Sequence, residues 1–229
     1  MMTNNTANPM ETGGDEIERF ALEECIKRQR VDHRVAVMVF PAGRCELTVK
    51  FARLGARVTA AAPPAKADEI RGRILANGLG EEICFTELEL TDIPDPLPDE
   101  PYDIIVIRHG LCHLPYVEAR KVVRQLMLRL RIGGKLYISI LGLHSELADG
   151  YAHGNHSVEE RFSELTPAMA KKYGINGPVC LYSERNLFLL LLEAGASVLR
   201  TLTPTYGNVK AVAVRVGANY ASASILAAA

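Results

Sequence analysis

Along the chain, apolar runs of strand length alternate with stretches in which apolar residues recur every three or four positions, the pattern of an α/β chain. Residues 15–30, "DEIERFALEECIKRQR", carry Ile17, Phe20, Ala21, Cys25 and Ile26 near helical spacing, with acids first and bases last as the helix dipole favours. "RVAVMVF" then runs apolar without alternation, which predicts a strand covered on both faces. "CELTVKFARL" (45–54) returns to helical spacing and stops at Gly55. The same rhythm repeats. "ARVTAAAP" (56–63) reads as a strand, 65–80 as a helix and "EEICFTELEL" (81–90) as a third strand; "YDIIVIRH" (102–109) reads as a fourth, "YVEARKVVRQLMLRLR" as a helix stopped by "IGG", and "KLYISIL" (135–141) as a fifth.

After that the rhythm changes. "SERNLFLLLLEAGA" (183–196) is a helix with a serine start and a glycine stop, and "SVLRTLTP", the "TYGN" turn and "VKAVAVRV" read as a hairpin. The sum is a doubly wound, mostly parallel seven-stranded sheet with a C-terminal antiparallel hairpin, in one domain over 15–216. Residues 1–14 and 217–229 are expected to be tails. The segment 142–182 has no regular period over its first half, and its length predicts a lid or binding loop. It offers Tyr151, Arg161, Tyr173 and Tyr182 to a polar or planar substrate. The alternatives are a surface excursion for self-association, or a helix pair over 158–174 that buries Phe162, Leu165 and Met169.

Composition narrows the partners. Hydrophobic residues at 48% and charged residues at 23% are globular averages, and a net charge of −1 with interspersed signs gives no footprint for nucleic acid. The longest apolar run, 186–196, is interrupted by Glu193 and is too short to span a membrane. The first twenty residues lack the basic and apolar regions of a secretory signal, and five scattered cysteines without a C-x-x-C pair fit a reducing cytoplasm. Small-molecule substrates, and self-association as a homo-oligomer, are the expected partners.

"GARVTAAAP", "YDIIVIRHGLCHLP" and "LRIGGKLYIS", in that order over residues 31–216, resemble class I S-adenosylmethionine-dependent methyltransferases. The resemblance implies a Rossmann-like methyltransferase fold, with S-adenosylmethionine bound at the carboxyl ends of the strands, where open parallel sheets place their ligands. It implies a cofactor turn at 40–46 containing Phe40 and Gly43, a strand-two end at Ala62, adenine contacts near Glu89 and Asp92, and Arg108 at the end of strand four. This chain departs from the family where Val39 and Ala62 replace its two acids, and where Pro41 and Cys45 replace two of three turn glycines. An ionised acceptor on the ribose diol is worth about 1.5–3 kcal/mol per hydrogen bond. Pro41 also removes a backbone donor, and Cys45 is expected to put a side chain near the ligand.

In "RHGLCHL", His113 and then His109 are the candidate bases for removing a proton from a methyl acceptor. The structural alternative is that His113 caps or packs the next helix. A metal set from His109, His113, His144, His153 and His156 is set aside, because Gly110 and Leu114-Pro115 make a poor helical frame for the first pair. Cys45 and Cys112 lack the neighbours that activate a thiol. Methyl transfer to a small polar acceptor leads. A methyltransferase-like binding or regulatory protein that has lost catalysis is the alternative, and a nucleotide-linked oxidoreductase lacks its G-x-G-x-x-G turn.

Overall fold

The structure is a computed structural model and describes residues 16–30, 33–204 and 207–217. The expected tail 1–14, and 218–229 of the C-terminal one, lie outside the described residues. The elements run α1 (Glu16–Arg28), β1 (Ala36–Phe40), α2 (Glu46–Arg53), β2 (Arg57–Ala62), α3 (Ala67–Ala76), β3 (Ile83–Glu87), β4 (Tyr102–Arg108), α4 (Tyr116–Arg129), β5 (Leu130–Ile140), α5 (Pro167–Tyr173), α6 (Glu184–Glu193), β6 (Ser197–Leu202) and β7 (Val209–Val214).

Seven strands form one sheet in the order β3-β2-β1-β4-β5-β7-β6. β1 to β5 pair in parallel, and β7 lies antiparallel between β5 and β6. Strand order reverses between β1 and β4, so the crevice at their carboxyl ends is where such a sheet binds a ligand.

The unbroken apolar strands are explained by two cores. Ala36, Met38 and Phe40 of β1 face the core shared with α4, α6 and 142–182; Val37 and Val39 face the one under α1, α2 and α3. Helix α1 buries Ile17, Ala21 and Cys25 and is fastened by ion pairs that include Glu16–Lys210 at 2.7 Å, Glu18–Arg108 at 2.6 Å and Glu24–Lys135 at 2.7 Å.

Two expectations change. "IGG" does not separate α4 from β5; it is an irregularity inside one strand, whose pairing jumps from Tyr102↔Leu130 to Ile104↔Lys135. Gly134 fits there because a Cβ would lie 2.9 Å from the Arg131 carbonyl oxygen and 3.0 Å from that of Tyr102. The 142–182 segment is packed structure rather than a surface excursion. Leu147, Tyr151, Val179, Cys180, Leu181 and Tyr182 are buried in the core, and Tyr182 and Leu143 bond the backbone beside β5. Of the helix pair only α5 forms, begun by Thr166 and ended by left-handed Gly174, although Leu165 is buried and Phe162 and Met169 pack on the core as expected. Arg161 is buried and ties the segment to α6, donating to the Leu181 carbonyl and to Asn186 Oδ1, each at 3.0 Å.

Candidate functional site

Two turns leave the sheet at the switch point. The first runs from Phe40 into α2. Its Ala42 amide donates to the Ala61 carbonyl at 2.8 Å, and the Cys45 amide to the Ala42 carbonyl at 2.8 Å. Gly43 (φ 52°) and Cys45 (φ 63°) are both left-handed. The space around a Gly43 Cβ is open, so glycine is favoured there by φ and not by crowding. Cys45 corrects an expectation. Its side chain is buried in the core under α2 and lines no part of the crevice, so the substitution spares the approach to the turn.

The second turn follows Arg108. His109 is left-handed (φ 55°), and its amide donates to the Ser139 carbonyl at 2.8 Å, which swings the chain off the sheet into a single 3-10 turn over Gly110–His113. Gly110 is required by contact: a Cβ would stand 2.8 Å from both the Leu90 and the Phe40 side chains.

Between and above these turns lie two adjoining cavities that share Pro41, Arg108, His109 and His113. The first, of about 230 Å³, is walled by Glu18 of α1, Gly43, Glu46 of α2, and Tyr173 and Asn176 at the end of α5. The second, of about 440 Å³, reaches Phe40, Pro63, Glu89, Leu90 and Leu114. Sites for small ligands span roughly 300–1,000 Å³.

Of the residues expected from the sequence, Phe40, Gly43, Glu89, Arg108, His109 and His113 come together here. Ala62 and Asp92 do not. Ala62 is 1% exposed, with its methyl in the core under α2 and α3. The Asp92 amide bonds the Glu89 carbonyl at 3.0 Å; the chain doubles back there, leaving Asp92 exposed outside both linings. Val39 is also buried, so neither position that holds an acid in the family presents one to the crevice.

His113 projects into the junction of the cavities, and desolvation there lowers its pKa below the ordinary 6.5, which keeps the ring neutral at pH 7. Burial acts oppositely on the thiols. It pushes Cys112 up to about 12 and Cys180 to about 11, leaving both protonated and unreactive. Among the described residues no group of three or more His, Cys, Asp or Glu side chains is placed to hold a metal ion.

The residues that sequence reasoning missed are Glu18, its second partner Lys50, and Gly174–Asn176 after α5, whereas Tyr173, expected to meet a substrate, does line the first cavity. Glu18 had a faint signal: it lies on the face of α1 that carries Ile17, Ala21 and Cys25, an acid on the inward stripe. Nothing local says which strand that face meets.

Residues 41–138 match a family described as a methyltransferase domain. An uncharacterized methyltransferase of Anoxybacillus flavithermus is 24% identical over 168 residues, covering 69% of this chain and 76% of the relative. Among solved structures, the CcbJ methyltransferase of Streptomyces caelestis superposes with a TM-score of 0.64 at 16% identity, covering 90% of this chain and 92% of its own. The cyclase SpnF superposes at 0.60 with 13% identity, covering 87% and 80%. Against several larger structures of the same fold, this chain spans only 55% to 57% of their length.

Proposed function

We propose that this chain, whose residues 41–138 match a methyltransferase domain, is a class I methyltransferase that binds S-adenosylmethionine along the crevice and transfers its methyl group to a small polar acceptor. The observation that carries the proposal is the continuity of the crevice from Glu18 and Gly43 to Glu89, past the only two turns at the switch point of the described sheet. The residues present fit the cofactor. Glu89 and the apolar Leu90 and Phe40 suit an adenine with its amino group, and the charged end at Glu18 and Arg108 suits an amino acid.

When bound, the cofactor would supply an electrophilic methyl on a sulfonium whose sulfur is the leaving group. His113, neutral at the junction of the cavities, accepts the acceptor's proton. Tyr173 and Asn176 wall the first cavity from the side of 142–182 and keep water from the charged end of the cofactor. We place the protein in a reducing cytoplasm, which suits its five free thiols, and among the described residues no helix is long and apolar enough to cross a membrane. Its expected partners remain small molecules and copies of itself.

A second reading, a methyltransferase-like binding protein without catalysis, is favoured by one observation: buried Val39 and Ala62 stand where the resemblance expects acids, the second of them on the ribose. A cyclase that shares the fold is a reminder that architecture does not fix chemistry. Calorimetry with S-adenosylmethionine and S-adenosylhomocysteine decides first. Saturable micromolar binding supports the cofactor site, and methyl release to a panel of small hydroxy and amino acceptors then separates enzyme from binder. Absence of both heat and thermal stabilisation at millimolar ligand overturns the cofactor site and leaves the second reading, with protein partners as the next ligands to test.

A further inference from the structure

Resting on that cofactor reading, we infer that the chain grips its ligand by the amino-acid end, with Arg108 taking the carboxylate and Glu18 the ammonium, in place of a carboxylate grip on the ribose. The inference starts from an imbalance of charge. The Glu18 side chain is 3% exposed, and two cations converge on it, Arg108 at 2.6 Å from β4 and Lys50 at 3.3 Å from α2. Among the described side chains of this wall, Arg44, Lys50 and Arg108 outnumber Glu18 and Glu46 by one positive charge, which a ligand carboxylate neutralises.

Arg108 has the means to take it. Its guanidinium carries five donors in a planar fork, and it lines both cavities with 19% of its side chain exposed, so it can hold Glu18 through one edge and a carboxylate through another. The start of α2 lies in the same wall. Its leading residue Cys45 supplies no side-chain cap, so the first-turn amides and the helix dipole also favour an anion there. Glu18 and Glu46 line the same cavity and attract an ammonium. Both charges of an α-amino acid thus meet an opposite charge within one cavity of about 230 Å³.

At the position expected to meet the ribose the contrast is complete, since Ala62 presents no polar side-chain atom and is 1% exposed. Glu18 and Arg108 are therefore the specificity residues of this crevice. A ligand is selected for an intact amino-acid end more than for its diol.

The test is a calorimetric ligand series on the full chain with S-adenosylhomocysteine, 5′-methylthioadenosine, which lacks the amino-acid end, and the 2′,3′-dideoxy analogue of S-adenosylhomocysteine. Removing the amino-acid end is expected to weaken binding about a hundredfold and removing the diol less than about threefold. Glu18→Gln and Arg108→Gln should each weaken S-adenosylhomocysteine about tenfold or more and leave 5′-methylthioadenosine unchanged, which also shows that the variants are folded. If 5′-methylthioadenosine binds as tightly as S-adenosylhomocysteine, or the dideoxy analogue loses more than the truncated one, the inference is overturned while the cofactor site stands. If no adenosyl ligand binds the wild-type chain, the cofactor reading itself falls and this inference with it. The wild-type series decides the matter even where a variant fails to fold.

Discussion

Leaving β1, the chain passes through left-handed Gly43 and Cys45; leaving β4, it passes through left-handed His109 and then Gly110, pressed against Phe40 and Leu90. Both turns carry the chain off the sheet beside the same crevice, yet they use their residues differently. At the β1 turn the Cys45 side chain faces the core and Gly43 contributes only conformation, while Pro41 and Arg44 beside them line the first cavity. At the β4 turn the side chains of Arg108 and His113 reach the crevice, and the glycine is needed for clearance. Backbone shape tolerates substitution while φ is kept, and side-chain chemistry does not. That difference explains how the β1 turn holds its form with proline at 41 and cysteine at 45.

Four substitutions test this contrast, in order of expected effect. His113→Asn should cut methyl transfer by about 10²–10⁴-fold while leaving S-adenosylhomocysteine affinity intact. In the wild type, activity should fall on acidification only below pH 6.5, since the lowered pKa makes the neutral base available down to that range, and this acid limb should vanish from the residual activity of the variant. A loss of less than threefold would remove His113 from the chemistry.

Gly110→Ala comes next. Its Cβ meets two side chains at 2.8 Å, and such overpacking costs about 1–3 kcal/mol, a drop in Tm of roughly 2–12 °C for a chain of this size. An unchanged melting curve would show that Phe40 and Leu90 move aside freely. Gly43→Ala should cost about 1 kcal/mol, from left-handed backbone alone, since its nearest neighbour stands 3.9 Å away. Cys45→Gly should be the mildest, within about 1 kcal/mol of wild type, because relief of the left-handed conformation offsets the lost burial of a small side chain. Denaturant midpoints measure both, and a Cys45→Gly loss above 2 kcal/mol would mean the thiol packs more tightly than its conformation costs.

The alternation of strands and helices was legible because strands covered on both faces must be apolar through their middle, as "AVMVF" and the "IIVI" of β4 are, and helices between them must show one apolar stripe. The β4 end was legible for a related reason: polar Arg108, His109 and His113 follow directly on a buried strand, and topology fixes what lies there. The irregularity at Gly133–Gly134 was not, because two glycines after a helix read locally as a stop, whereas the pairing of Leu130 with Tyr102 is tertiary. Glu89 and Asp92 looked equivalent three residues apart until the chain turned between them. The packing of 142–182 was hidden too. Its buried Tyr151, Tyr173 and Tyr182 follow no period, because they pack irregular backbone held by bridges such as Ser163↔Val179.

The place of β7 has a consequence for how the molecule is made. It is the last of the described strands in the chain, yet it lies inside the sheet, and Lys210 on it pairs with Glu16 at the start of α1. During synthesis, β5 waits with one edge open and β6 with no strand to join until the final hairpin emerges. Until then the nascent chain carries an unpaired apolar edge, the kind of surface that recruits chaperones or neighbouring nascent chains. Completion of the sheet is thus a late, long-range event, set by contacts nearly the whole chain apart, and a ribosome stalled before Val209 would release an aggregation-prone product.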